Sequence, residues 1–282
     1  MSSIPSQIAS HAQGARQKAG PFLVKLARLG YAAKGVLYVV VGLLAAASAF
    51  GAVGGRTTGS RGALDTLIEQ PFGKVLLGVV ALGLIGYALF QFVRAVEDPE
   101  NEGSDGKAVA KRAGFFISGL IHVSLFLAAA KMLFGSGGGG GEESGAQSWT
   151  RAIMDYPLGR WVVAATGVGI VVYGFGQLVR AWKAKLDDQL VLDGMQQSTR
   201  VLVRRVSRFG IAARGAVFAI IGALLVLAAW QYDASEAKGL GGALAALERQ
   251  PFGPWLLGLV ALGLIAYGLY QFLLSRYRRI AT

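Results

Sequence analysis

The chain has 282 residues, 54% of them hydrophobic and 16% charged, and carries a formal charge of +12. A soluble chain carries about 25% charged residues, so this composition points to the membrane class, where a basic excess reads as positive-inside bias and attraction to anionic headgroups rather than to nucleic acid. Cysteine is absent, which excludes disulfides, thiolate chemistry and cysteine-ligated zinc or iron–sulfur sites.

Residues 1–27 form a polar, basic tail, and no acidic residue precedes Asp65. A hydrocarbon core about 30 Å thick is crossed by about 20 apolar residues in helix. Six stretches qualify: Tyr31–Phe50, Val75–Val96, Phe115–Phe134, Trp161–Trp182, Ile211–Trp230 and Trp255–Leu274. The first carries AAASA near its end, as a signal peptide does, but its near copy in the fifth marks it as a retained span. After the first span, GALDTLIE (Gly62–Glu69) puts Ala63, Leu64, Leu67 and Ile68 on one helical face and Asp65 and Glu69 on another. This predicts a short amphipathic helix in the outer interface. QPFG (Gln70–Gly73) then makes the corner into the second span: proline opens the returning helix, Phe72 enters the interface, and Gly73 permits the tight turn. The run GSGGGGGEESG (Gly135–Gly145) lacks the closing Gly-Lys-Ser/Thr of a phosphate loop and reads as a flexible outer linker. Beyond it Trp149, Ile153 and Met154 take the matching apolar places. Residues 182–207 read as a basic linker, and GALAALER (Gly242–Arg249) with QPFG (Gln250–Gly253) repeats the outer helix and corner.

Sliding the chain by 180 residues lays Arg28–Phe92 on Arg208–Phe272 without a gap, with 30 of 65 positions identical. A drifted third copy lies between, offset by 84 in its first half and 86 in its second. The repeats are 28–95, 112–181 and 208–279. The entry motif is Arg28, Gly30, Gly35; Arg112, Gly114, Gly119; and Arg208, Gly210, Gly215. The exit motif is Tyr87 and Gln91; Tyr173 and Gln177; and Tyr267 and Gln271. Two spans per copy make these parallel repeats. The expected fold is therefore an all-α membrane protein, with six transmembrane helices in a closed pseudo-threefold bundle and short interfacial helices on its outer side. Lysine and arginine number 20 on the side of the termini and 8 on the other, which predicts cytoplasmic termini.

The triple Arg-x-Gly-x4-Gly entry, the GAL…QPFG corner and the ALGLxxYxLxQ exit resemble the bacterial membrane family built from three copies of domain of unknown function 1206. The likeness covers Arg28 to about Arg279. It implies a multi-pass protein of the bacterial inner (plasma) membrane and brings no activity with it. The middle copy departs most, with YPLG (Tyr156–Gly159) for QPFG and Phe126 where the others have Gly42 and Gly222.

Few polar residues lie within the spans. Lys34 and Arg214 share one repeat position, with Ser118 as the third copy, about a turn inside the membrane edge where snorkelling accounts for them. His122 lies deeper, opposite Tyr38 and Phe218 in the other repeats, and reads as a hydrogen-bonded packing residue or a proton relay. Lys131, near the outer end of its span, reaches to water. Each Tyr–Gln pair shares a helical face, so it either cross-links neighbouring helices or lines an axial vestibule. Arg28, Arg112 and Arg208 are positive-inside anchors or a ring for anions and lipid headgroups, and Lys34 and Arg214 could join them. The sequence offers no nucleophile–base arrangement, no metal-ligand cluster and no cofactor motif, so no enzyme activity is expected. Two readings follow: a structural, interaction or lipid-binding membrane protein whose partners are anionic lipid and another protein, or a transporter of a small solute, ion or lipid-like molecule along the threefold axis. An axis filled by Leu, Val and Gly favours the first, and a continuous polar cavity the second.

Overall fold

The computed structural model of the protein describes residues 4–52, 54–98, 103–135, 142–183 and 196–278. Its helices are α1 (Ile4–Ala49), α2 (Ser60–Ile68), α3 (Gly73–Val96), α4 (Gly106–Leu133), α5 (Glu142–Met154), α6 (Gly159–Lys183), α7 (Gln197–Gln231), α8 (Leu240–Glu248) and α9 (Gly253–Tyr277). Among the described residues six helices, α1, α3, α4, α6, α7 and α9, are long and apolar enough to cross a bilayer. The protein is a multi-pass, all-α membrane protein of three parallel two-span repeats.

Three boundaries differ from the sequence reading. Helix α1 runs back through the basic tail to Ile4, where Ala, Gln, Lys and Arg are good helix formers. Helix α7 begins at Gln197, inside the expected 182–207 linker, while residues 184–195 of that linker lie outside the described residues. Glu142–Gly145 belong to α5 and not to a flexible linker; residues 136–141 of the glycine run lie outside the described residues.

The two glycines of the entry motif have separate jobs. The first packs within its own repeat: a Cβ on Gly30 would lie 2.5 Å from Tyr87 Cβ, and one on Gly210 would lie 2.4 Å from the Tyr267 nitrogen. The second packs between repeats. A Cβ on Gly35 would lie 3.0 Å from the Gly268 carbonyl oxygen, one on Gly215 2.8 Å from the Gly174 carbonyl oxygen, and one on Gly119 2.6 Å from the Phe92 ring. Small residues at these crossings let helices approach closely enough for dispersion to hold them in lipid, where burial from water contributes little. The contacts α3–α4, α6–α7 and α9–α1 follow one pseudo-threefold rule.

The short helices close the end of the bundle opposite the termini. Ala63, Leu64 and Leu67 of α2 and Ala243 and Leu244 of α8 enter the same core as Val41, Leu84, Leu125, Val217 and Leu264 of the spans. A Cβ on Gly241 would lie 3.0 Å from the Gly59 nitrogen, so α8 and the start of α2 touch. Helix α5 is different. Of its residues Met154 and Thr150 are buried, whereas Trp149 and Ile153, at the other matching apolar places, are exposed.

The corners also correct the expectation. Each returning helix starts two residues after the proline, which therefore sits in the turn and does not open the helix. The left-handed residue is the one before the glycine: Phe72 (φ 61°), Leu158 (φ 65°) and Phe252 (φ 61°). Glycine is required next because a Cβ on Gly73, Gly159 or Gly253 would lie 2.2, 1.7 or 1.9 Å from a carbonyl oxygen of the preceding short helix.

Candidate anion cage and lateral cleft

The half of the bundle nearest the termini is polar at its centre. Lys34 of α1 points inward, not along the helix toward the membrane edge. It is buried, its Nζ donates to the Tyr87 hydroxyl at 3.0 Å, and it sits 4.2 Å over that ring. Arg214 of α7 also points inward. Its Nε donates to the Tyr38 hydroxyl at 3.2 Å and its Nη1 to the Tyr173 hydroxyl at 3.1 Å, with the guanidinium 4.3 Å from the Phe218 ring and 5.1 Å from the Tyr267 ring. Snorkelling is therefore not the account of either residue.

These contacts join all three repeats. Tyr38 packs edge-on against Tyr267 at 4.7 Å, and His122 lies against Tyr87 at 4.5 Å. Nδ1 of His122 pairs with the Ser118 carbonyl at 2.7 Å. The exit tyrosines Tyr87 and Tyr173 take the cross-helix bonds from Lys34 and Arg214, while the bonds of the exit glutamines stay within their own helices. Gln271 donates to Tyr267 at 2.9 Å and Gln177 to Tyr173 at 3.0 Å. Gln91 instead accepts from Arg94 at 3.0 Å, whose guanidinium lies 3.6 Å over Phe115. On the side of the termini, Tyr31 and Tyr87 pack edge to face at 5.3 Å, and Arg278 donates to the Tyr31 hydroxyl.

Among the described residues no carboxylate faces either cation. The titratable groups around Lys34 include Tyr38, Tyr87, His122, Tyr173, Arg214 and Arg278, and those around Arg214 include Lys34, Tyr38, His122, Tyr173 and Tyr267. Two cations thus share a ring-walled interior, held by phenolic oxygens and aromatic faces. Cation–π contacts contribute about 2 kcal/mol when desolvated, whereas burying an unpaired ion costs several kcal/mol. A further buried acceptor, Oε1 of Gln271, has no hydrogen-bond partner among the described residues.

The entry arginines lie elsewhere. Arg112 Nε and Nη2 donate to the Ala95 and Val96 carbonyls at 2.8 and 2.9 Å, and Arg208 makes the same clamp on Ala181 and Trp182 at 2.7 and 3.0 Å. They close the C-terminal ends of α3 and α6, where a cation also complements the helix dipole. Arg28 is exposed, and its carbonyl accepts from Ser275 at 2.8 Å. These arginines do not ring the cage. Lys131 is exposed.

The bundle is not closed. Helices α1 and α3 pack together, as do α7 and α9, but α4 and α6 of the middle repeat make no extended contact among the described residues. Gly114 and Gly169 have open space where a Cβ would be, whereas their counterparts are packed: Gly30 and Gly210 as above, and a Cβ on Gly83 would lie 2.6 Å from Ala33 Cβ and one on Gly263 2.1 Å from Ala213 Cβ. The cause lies in the sequence. Ile117 replaces Ala33 and Ala213, and Val172 replaces Gly86 and Ala266, so bulk stands where the other pairs approach. Tyr173 is accordingly 47% exposed, against 5% for Tyr87 and 6% for Tyr267. The resulting lateral cleft leads from the bundle surface to Tyr173, Gln177 and Arg214. Sequence reasoning missed both the cleft and the part played by Tyr38. The cleft's signal was the Ala-to-Ile change at a repeat position, and that of Tyr38 was a hydroxyl one turn from Lys34.

No solved structure matches the chain. The protein YxxB of Bacillus subtilis (strain 168), itself uncharacterised, is 33% identical over 265 residues, covering 94% of this chain and 94% of that one. The model of the Domain of Unknown Function DUF1206 matches residues 29–98, 113–184 and 209–278, each match opening one residue after an entry arginine. With three such domains over most of its length, the chain belongs to the DUF1206 family.

Proposed function

We propose that the protein is a membrane-embedded binding protein that holds an anionic group in the Lys34–Arg214 cage. The observation that carries this is the pair of inward-facing cations with no facing carboxylate among the described residues. Ionisable groups inside a membrane are costly and mark functional sites; here a bound anion supplies the missing counter-charge. The far half of the axis is filled by Val41, Leu84, Leu125, Val217 and Leu264 beneath α2 and α8, which supports holding a ligand over passing it across. In this reading the protein is not an enzyme and binds no nucleic acid. It sits in the bacterial plasma membrane with cytoplasmic termini and meets anionic lipid on that side.

Thermal unfolding of the full chain in uncharged detergent tests the proposal. Inorganic phosphate and short-chain anionic lipid are expected to raise Tm by several degrees, as any ligand specific to the native state does. The double variant Lys34→Gln/Arg214→Gln should lose that shift. An unchanged Tm, or a shift preserved in the double variant, overturns the reading.

A further inference from the structure

We infer that the ligand of the cage is a lipid with a phosphate headgroup, and that the α4–α6 cleft is the lateral portal through which the headgroup enters while the acyl chains stay in the membrane. The inference rests on the anion-binding reading and adds the ligand class and the route.

The argument starts from what the cleft connects. Its outer lip is apolar: Ile117 and Ile121 on α4 and Val172 and Phe175 on α6, all exposed on helices that cross the bilayer. Its inner end is polar and positive, with the Tyr173 hydroxyl accepting from Arg214 and Gln177. Lys34 lies deeper in the same cluster, on Tyr87. A surface that grades from aliphatic to cationic across one side-chain layer complements an amphiphile: charge at the cage, hydrocarbon at the lip. A free anion needs only the inner half and has no use for the outer. The unpartnered Oε1 of buried Gln271, one residue pair away on Tyr267, adds an acceptor for a donor on the headgroup, such as the hydroxyl of a monoprotonated phosphate monoester. Phosphate offers several acceptor oxygens for guanidinium and ammonium at once.

The opening is specific to one repeat. The same entry glycines and exit tyrosines occur in all three copies, yet the helix pair is shut twice and open once. Bulk at Ile117 and Val172 holds α4 and α6 apart at the level of the cage. The outer half of α4 remains in the core through Leu125 and Ala129. The polar groups that the gap reaches, Tyr173, Gln177 and Arg214, lie in the half of the bundle on the side of the termini.

The test uses the full chain in phosphatidylcholine vesicles containing a phosphatidic acid with a photoreactive diazirine on one acyl chain. Adducts are expected on α4 and α6, around Ile117, Ile121 and Val172. They should fall at least fivefold in Lys34→Gln/Arg214→Gln, and also in Val172→Trp, a surface change that plugs the lip without entering the core. Val172→Trp should leave the Tm shift by inorganic phosphate intact. Adducts spread evenly over the six spans, or on α4 and α6 but indifferent to both variants, overturn the portal. If the phosphate shift persists alongside such adducts, the portal fails while the anion cage stands. If neither probe depends on Lys34 and Arg214, both fail. Adducts to a second copy of the chain across α4 and α6, in place of lipid, identify the cleft as an interface between copies and also overturn the portal.

Discussion

Repeats one and three differ from repeat two in a way that separates what the motif enforces from what it only permits. In the outer two, glycine meets the backbone of the exit tyrosine and the helix pair is shut; in the middle one, Gly114 and Gly169 face open space. The inter-repeat seams survive in all three, through Gly35, Gly119 and Gly215. The second glycine of the entry motif therefore builds the bundle, and the first only closes a pair when the residues around it are small.

The sharpest way to break this comparison is to add bulk at the first glycine. Gly210→Leu forces a side chain into the Tyr267 backbone at a position with no slack. Overpacking of this kind costs about 1–3 kcal/mol, sometimes more, and backbone cannot yield as a side chain can. Gly114→Leu is expected to change stability by less than about 0.5 kcal/mol. Unfolding of the two variants in detergent, monitored by circular dichroism, should show the first clearly weakened and the second near wild type. Equal losses would mean that α4 and α6 are packed like the other pairs.

A second test asks whether the opening can be undone. Ile117→Ala with Val172→Gly restores the residue sizes found at Ala33 and Gly86. The absence of native cysteine lets nitroxides be placed cleanly at the exposed Val109 and Val179. The α4–α6 distance distribution should shift to shorter values by several ångströms in the double variant. An unchanged distribution would assign the gap to something other than Ile117 and Val172.

A smaller effect is expected at the tyrosines. Tyr87→Phe leaves the Lys34 ammonium buried without its oxygen partner, while Tyr173→Phe leaves Arg214 with the Tyr38 hydroxyl and a half-exposed neighbourhood. Losing a hydrogen bond to a buried charged group costs about 1.5–3 kcal/mol. The first variant should lie in that range and the second below about 1 kcal/mol. Denaturant titrations in mixed micelles compare them directly, and a reversed order would place the more accessible cation at Lys34.

Much of this fold was legible in the chain, because membrane helices and repeats are written in patterns that need no long-range information. Span lengths follow from bilayer thickness, and the parallel threefold follows from two spans per copy. The cage was half legible. Lys34, Arg214 and the three tyrosines stood out as polar residues in apolar runs, but periodicity shows which face a residue occupies and not which way a long side chain turns. Lys34 and Arg214 look like snorkelling residues by depth alone; only the neighbouring helices reveal that Tyr87, Tyr38 and Tyr173 turn them inward. The entry arginines misled for a related reason. Their position at the membrane edge is the same for a free anchor as for a clamp on helix-end carbonyls, and the latter requires knowing where α3 and α6 end.

The smallest expected effect isolates where the asymmetry arises. The corner backbones barely differ, with φ at 61° for Phe72 and Phe252 and 65° for Leu158, and the glycine contacts behind them are equally tight. A left-handed non-glycine residue costs about 1–2 kcal/mol relative to the right-handed form, and the chain accepts that cost identically in the open repeat and the shut ones. The corner therefore does not set the splay; the residues within the spans do. Leu158→Phe makes the middle corner chemically like the others. Because Leu158 is exposed and the backbone already fits, stability should move by less than about 0.5 kcal/mol, and the nitroxide distance between Val109 and Val179 should stay at its wild-type value. A narrowed gap in Leu158→Phe would move the origin of the opening from Ile117 and Val172 to the turn that feeds α6.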